Sequence, residues 1–144
     1  MPQRTLRQVV EGQALICAPA SLSVRHAAMT MSEANVGAIM VLDDQGQLSG
    51  LFTERDVLNR VVARGLDPDA TLLATVMTTR LQTATPDKPL YYALHMMFEG
   101  GFRHVPVVEE GKPVGMVSAR NALGREIEQF EKELVERDHI AEIL

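Results

Sequence analysis

Hydrophobic positions along the 144-residue chain form a pattern that occurs twice. In the first half, the short apolar run at 15–17 predicts a strand, and Ser23 is a predicted helix N-cap because apolar residues follow it at helical spacing. Two apolar runs, 38–42 and 48–52, flank a polar turn and predict a hairpin of buried strands. A helix that opens at Thr53 completes this first unit.

The same order of elements restarts after a polar linker at 66–69. A short lead-in helix near 72–77 is followed by a predicted strand near 81–84 and by a longer helix. A second hairpin then follows, with strands at 105–108 and 114–117. Each half consists of strand, helix, strand, strand and helix. This order predicts a small α/β unit, α+β in character, with helices packed on one face of its sheet.

The two halves also match residue by residue. Residues 37–43 align with 103–109 at an offset of 66, and residues 50–56 align with 115–121 at an offset of 65, so the second copy lacks one turn residue. Two copies of so small a unit predict a pseudo-symmetric pair rather than a solenoid. Because a single core is marginal at this size, we expect the two copies to bury apolar faces against each other.

This organisation predicts three segments. The first repeat, with a lead-in helix near 5–10, covers residues 1–68, the second repeat covers 69–123, and a helical extension covers 124–144. Apolar residues at spacings of 4, 3 and 4 form a two-heptad seam: Leu123, Ile127, Phe130 and Leu134. A lone helix of this length is marginal in water. The seam is therefore expected to fold back on its own module or to pair with a partner, a homodimer being the simplest choice.

Composition argues against several classes of protein. The net charge of −5 and the pI near 5.3 disfavour nonspecific nucleic-acid binding, which needs basic surfaces. No apolar run approaches the roughly 18 residues of a membrane helix, and the N-terminus leads into no signal-peptide core, so we expect no membrane insertion. Cys17 is the single cysteine, which forbids an internal disulfide. Together these features predict a cytoplasmic location.

Patterns typical of catalysis or metal binding are not found in the sequence. The four histidines, His26, His95, His104 and His139, do not pair at ligand spacing, and one cysteine gives no thiolate cluster, so we expect no metal site. The chain contains no Gly-x-Ser-x-Gly elbow, and its glycines lack Walker or Rossmann spacing. We therefore predict that the protein is not an enzyme.

The repeated motifs resemble those of the CBS-domain family. The resemblance rests on GLFTERD at 50–56, GMVSARN at 115–121, RHVPVV at 103–108 and VMT at 76–78. Two such motifs in tandem are similar to a stand-alone Bateman module, here covering roughly residues 5–128. The resemblance implies two CBS folds packed sheet to sheet, dimerisation into a flat disc, and binding of adenine nucleotides in clefts between the repeats.

The first motif carries chemistry that suits a nucleotide. It lies where a strand turns into a helix, and the unpaired N–H groups of a helix N-terminus suit phosphate. The hydroxyl of Thr53 and the guanidinium of Arg55 can each add a bond to phosphate. The carboxylate of Asp56 can accept bonds from two ribose hydroxyls. A capping box, in which Thr53 and Asp56 bond to each other's backbone, explains the same two residues without a ligand.

The second motif has diverged from the first. Ser118 keeps the hydroxyl and Arg120 the positive charge, whereas Asn121 replaces the acid. An amide can still bond ribose hydroxyls, but without the charge that makes such bonds strong. The two clefts are therefore expected to be unequal, the one that uses Asp56 being the tighter.

The resemblance adds site residues outside these two motifs. In relatives, basic residues at the positions of Arg103 and His104 often face phosphates between the repeats. The alternative is that Arg103 is a solvated edge residue and His104 a hydrogen-bonded structural one. A close backbone approach at Gly37 would make room for an adenine. Four apolar residues are expected to sandwich that adenine: Ile16, Cys17, Ile39 and Val105. Pro106 is also assigned to the nucleotide site.

The sequence thus predicts a non-catalytic, homodimeric sensor that signals to an effector protein whose identity the chain does not reveal. No cofactor is expected to be obligatory, and AMP, ADP, ATP or another adenosyl compound is the expected regulatory ligand. The competing prediction is a dimeric scaffold that uses the CBS disc and the terminal helix for protein–protein contact, with empty clefts.

Overall fold

The first half of the chain folds as two short helices and a three-stranded sheet, followed by a third helix. The structure is a computed structural model that describes residues 4–122 and 132–140. The elements of the first half are α1 Leu6–Val10, β1 Cys17–Pro19, α2 Val24–Ala34, β2 Ala38–Leu42, β3 Leu48–Thr53 and α3 Glu54–Asp56. After α3 the helix continues with wider turns over Val57–Val62, and the Ala63 N–H donates to the Leu58 carbonyl five residues back.

The second half repeats this plan with a smaller sheet. Its elements are α4 Leu73–Val76, α5 Leu90–Gly100, β4 His104–Glu109, β5 Lys112–Ser118 and α6 Ala119–Ala122. Residues 132–140 are also helical, and their side chains are exposed. Of the predicted seam, Leu134 belongs to this exposed helix, whereas Leu123, Ile127 and Phe130 lie outside the described residues.

Local sequence signals account for the helix starts. Ser23 caps α2 by accepting a bond from the His26 N–H at 3.2 Å, as the pattern predicted. Thr53 caps α3 in the same way. Asn35 ends α2 in the left-handed conformation (φ 54°), which asparagine tolerates better than most residues do.

Both sheets are built on the predicted hairpins. In the first sheet β2 lies in the centre, parallel to β1 and antiparallel to β3, and Ala38 pairs with Thr53. In the second sheet β4 and β5 are antiparallel, and His104 pairs with Ser118 at the equivalent position. The repeat detected in the sequence is therefore also a repeat of strand register.

The strand predicted near 81–84 is a single bridge, from Ala84 to Val107, in the described part of the chain. The equivalent strand of the first half is longer because the Met40 N–H donates to the Ile16 carbonyl at 3.0 Å. The residue in the place of Met40 is Pro106, which has no N–H to donate, so the ladder stops there. In the first sheet, the strand predicted at 15–17 begins two residues later. It runs from Cys17 to Pro19 and pairs with β2.

Each hydrophobic core takes its lead-in helix from the other half of the chain. Leu6 and Val10 of α1 pack in the core that contains Ala93 of the second half. Leu73 of α4 packs in the core that contains Phe52 of the first half. The packing units are thus interleaved in sequence. The predicted boundary after residue 68 separates the two repeats along the sequence, but each core contains residues from both sides of it. The boundary itself stays a prediction.

A third cluster joins the two halves at their sheets. Ala38, Met40 and Leu51 are buried there, and Leu81 and Met116 of the second half pack against them. Strand alternation explains this arrangement, because neighbouring strand residues point to opposite faces and one face of each sheet is covered by helices. The two repeats therefore pack sheet to sheet, as the resemblance implied.

The edge strand of each sheet is bound differently by the lead-in segment of the other repeat. Leu51 on β3 exchanges two backbone hydrogen bonds with Thr78, at 2.9 and 2.8 Å. Met116 is the equivalent residue on β5, and there the Gln13 side-chain amide makes both bonds, donating to the Met116 carbonyl at 2.9 Å and accepting from its N–H at 2.7 Å. One side chain thus replaces a strand bridge.

Replacing Gln13 by alanine is expected to lower the free energy of unfolding by about 1–2 kcal/mol, because both polar groups of a half-buried peptide lose their partner. Urea denaturation of the variant measures this loss. Gln45→Ala, in the exposed turn between β2 and β3, is the matched control and should change stability by less than about 0.5 kcal/mol. Equal stability of the two variants would contradict the prediction.

Candidate functional site

A cleft of about 880 Å³ opens between the two repeats. The first repeat contributes residues of the loop before β1, of the end of α2 and of the start of β2, together with Glu54. The second repeat contributes Arg103 and His104, and residues from Met116 to Arg120. A molecule bound in this cleft would contact both repeats at once.

The cleft brings together part of the predicted site. The predicted residues that line it are Ile16, Gly37, Arg103, His104, Ser118 and Arg120. Arg103 and Arg120 are exposed, and His104 and Ser118 are half-buried. Asn121 lies in α6, but its side chain is outside the described part of the structure.

Two residues of the predicted adenine sandwich are not accessible. Ile39 and Val105 have no exposed surface, because strand alternation places them on the helix-covered faces, each in the core of its own repeat. Neither residue lines the described cleft, so their assignment to the ligand site stays a prediction that this arrangement does not favour. Pro106 is also fully buried, and Cys17 packs beside the contact between the sheets, where burial raises the pKa of its thiol.

Gly37 leaves space where the two repeats meet. A Cβ atom at this position would lie 3.2 Å from Oε1 of Glu54 and 3.3 Å from Cε1 of His104, which is tighter than ordinary van der Waals contact. Glycine thus allows a carboxylate of the first repeat and an imidazole of the second to come close together. Gly37 was predicted to make room for an adenine. In this structure the side chains of Glu54 and His104 lie close to it.

His104 is placed so that its neutral form is favoured. Burial lowers the pKa of His104 from its ordinary value, Glu54 acts in the opposite direction, and Arg103 lowers it further. The neutral imidazole offers one donor and one acceptor rather than a charge. In the lining of the cleft, the positive charge comes from Arg103 and Arg120.

The first motif forms the capping box in full. The hydroxyl of Thr53 accepts from the Asp56 N–H at 3.2 Å, and the carboxylate of Asp56 accepts from the Thr53 N–H at 3.0 Å. The Thr78 hydroxyl also donates to Asp56, at 3.3 Å, and Arg60 forms an ion pair with it at 3.4 Å. Asp56 is buried, at 7% exposure. The capping alternative is therefore the arrangement in the structure, and the ribose-binding role stays a prediction.

Arg55 contacts the other repeat directly. Its guanidinium donates to the Gly101 carbonyl at 3.1 Å, just after the end of α5. Thr53, Arg55 and Asp56 are not among the residues that line the described cleft. The first motif thus borders the cleft through Glu54, whereas the second borders it through Ser118, Ala119 and Arg120.

Three residues important for this geometry were missed by sequence reasoning. Glu54 could have been found, because it lies inside the first motif and its equivalent in the second, Ala119, is uncharged. Thr78 stands in the lead-in motif, but nothing in the sequence connects it with Asp56. Gln13 carries no local signal, since its partner Met116 lies 103 residues away.

Neither a metal-binding cluster nor a membrane-spanning helix occurs in the described residues. Within 4–122 and 132–140, no group of three or more His, Cys, Asp or Glu side chains is arranged to hold a metal ion. Over the same ranges, the helices are too short or too polar to cross a bilayer.

Comparison with known proteins assigns the family. The sequence profile of the CBS domain matches residues 9–63 and 73–127, so the chain belongs to the CBS-domain family. CBS domain-containing protein CBSCBSPB3 of Arabidopsis thaliana is 36% identical over 130 residues, which make up 90% of this chain. Those residues cover 23% of the plant protein, so the chain spans about a quarter of that relative's length.

Solved structures share the fold over most of the chain. An uncharacterized conserved protein of Pyrococcus horikoshii is 32% identical, with a TM-score of 0.79 over 88% of this chain and 95% of that one. CBS domain protein PAE2072 of Pyrobaculum aerophilum, crystallised with AMP, is 24% identical, with a TM-score of 0.75 over 81% of this chain and 88% of that one. The CBS domain pair of protein MJ0100, in complex with 5′-methylthioadenosine and S-adenosyl-L-methionine, is 22% identical. Its TM-score is 0.77 over 89% of this chain and 98% of that one.

Proposed function

We propose that this protein is a non-catalytic sensor of adenine-containing ligands, which bind in the cleft between the two CBS repeats. The observation that carries the proposal is the cleft of about 880 Å³, where two arginines, a histidine and a serine of the second repeat face Gly37 of the first. The complexes of PAE2072 with AMP and of the MJ0100 domain pair with adenosyl compounds support it. The cytoplasmic location stays a prediction.

The position of the cleft between the repeats supports a signalling role. Arg103 and Arg120 supply charge-assisted bonds to a phosphate or carboxylate, while Ile16 and Gly37 belong to the opposite repeat. A ligand that contacts both repeats binds best to one relative arrangement of them and so shifts the population towards it. An effector protein that prefers that arrangement reads the ligand concentration.

A ligand-free scaffold is the second candidate, and two observations favour it. The carboxylate of Asp56, predicted to bind ribose, is engaged by Thr53, Thr78 and Arg60. One face of α5 also exposes aromatic side chains: Tyr91 is 59% and Phe98 87% exposed. We propose that this face packs against a second copy of the chain in either case, which gives the homodimer that the sequence predicted.

Thermal melts with AMP, ADP, ATP, NADH and S-adenosylmethionine test the sensor against the scaffold. A ligand present at about 100 times its dissociation constant stabilises the folded state by about 2.7 kcal/mol and raises the midpoint by several degrees. Absence of a shift with every compound at millimolar concentration would support the scaffold.

Arg120→Ala is expected to weaken the binding of a phosphate-bearing ligand about tenfold, because it removes one charge-assisted bond. Isothermal titration calorimetry measures the change. Arg64→Ala is the matched control, since Arg64 is an exposed arginine outside the cleft lining. Equal affinities of the two variants would place the ligand elsewhere.

A further inference from the structure

The two repeats contribute charges of opposite sign to the same cleft. Glu54 is the charged residue of the first repeat in the lining, whereas Arg103 and Arg120 come from the second. Glu54 and Ala119 occupy equivalent positions, since the Glu54 N–H donates to the Gly37 carbonyl and the Ala119 N–H to the Arg103 carbonyl, both at 3.0 Å. At matching backbone positions, one repeat thus has glycine and an acid, and the other has arginine and alanine.

The charge of Glu54 is not neutralised by a protein cation in the described structure. Among the ion pairs of residues 4–122 and 132–140, none includes Glu54. Its close neighbour across Gly37 is His104, whose neutral form is favoured by burial. The carboxylate therefore presents its negative charge to whatever occupies this part of the cleft.

We propose that Glu54 is a specificity-determining residue that makes the cleft discriminate against polyphosphates, in favour of adenosyl ligands with one phosphate or with a positively charged group. The inference rests on the proposed function and deepens it. Two arginines suffice to balance a single phosphate, but each further phosphate adds negative charge to a cleft that already contains a carboxylate. Repulsion of this kind sets specificity as effectively as attraction does.

Glu54→Gln isolates this charge, because the amide keeps the size and the polarity of the side chain. We expect the affinity for ATP to rise on the order of tenfold relative to that for AMP, measured by calorimetry at low ionic strength. The affinity for S-adenosylmethionine, whose sulfonium and ammonium groups are positive, should not rise. Glu99→Gln is the control, because Glu99 is an exposed acid outside the cleft lining, where it pairs with His95.

Ala119→Glu supplies an independent variant, because it places the same charge at the equivalent position of the second repeat. It should weaken the binding of ATP more than that of AMP, and high salt should reduce the difference. If AMP binds but the ratio of ATP to AMP affinity is unchanged in both variants, the role of Glu54 is wrong while the proposed function stands. If no adenosyl compound binds to the wild type or to either variant, the proposed function fails, and the inference with it.

Discussion

Replacing Gly115 by alanine is expected to lower the free energy of unfolding by about 3 kcal/mol, near the upper end of the usual cost of overpacking. Gly115 lies on buried β5 beneath helix α1, and a Cβ atom there would lie 2.4 Å from Cβ of Val10 and 2.7 Å from both of its methyl carbons. The Cβ of a valine cannot move without its backbone, and its side chain is stiff about χ1. The new methyl group must therefore push α1 away from the second core.

Gly50→Ala is the matched control at the equivalent position of the first repeat. A Cβ atom there would lie 2.5 Å from Sδ of Met77, but an unbranched methionine can change its rotamer, so the expected cost is about 1 kcal/mol. Urea denaturation of both variants measures the difference. The double variant Gly115→Ala, Val10→Ala should recover part of the loss, because the shortened side chain admits the new methyl group. A Gly115→Ala variant no less stable than Gly50→Ala would contradict this account.

Asp56→Ala is expected to cost about 2–3 kcal/mol of folding free energy in the absence of any ligand. The change removes the acceptor of the Thr53 N–H, of the Thr78 hydroxyl and of Arg60, at a buried position. Chemical denaturation measures the loss. Thr53→Ala removes only the other half of the capping box and should cost about 1 kcal/mol. Equal losses for the two variants would mean that the bonds to Thr78 and Arg60 contribute little.

The same variant tests the prediction that Asp56 binds ribose. Calorimetry below the melting temperature of Asp56→Ala separates affinity from stability. A lower nucleotide affinity would support a cleft at the first motif in addition to the one described. An unchanged affinity would leave Asp56 with its structural role and would assign binding to the cleft of Ser118 and Arg120.

The two motifs differ in their main contacts, although Glu54 of the first motif also lines the cleft. The first joins α3 to the lead-in segment of the second repeat through the bonds between Asp56 and Thr78. The second lines the open cleft with Ser118 and Arg120. Because α1 packs in the second core and α4 in the first, the segment after each of these helices lies beside the sheet edge of the other repeat. The contacts of Gln13 and Thr78 therefore hold each lead-in segment against the sheet edge of the other repeat.

Local structure and family could be predicted from the order of residues. The hairpins of β2 with β3 and of β4 with β5, the caps at Ser23 and Thr53, and the repeat itself depend on periodicity and on neighbours three residues apart, which the sequence displays directly. The interruption of hydrogen bonding beside Pro106 could also be predicted, because proline lacks a backbone N–H in any fold.

The composition of the cleft was decided by tertiary packing. Strand alternation was readable, but which face meets a helix was not, so Ile39 and Val105 were assigned to a ligand and are buried instead. Glu54 and His104 meet because two sheets pack at Gly37, and Gln13 reaches Met116 because α1 joins the other core. Such contacts link residues 50 or more positions apart. They depend on how complete surfaces fit together, and no local pattern in the chain records that fit.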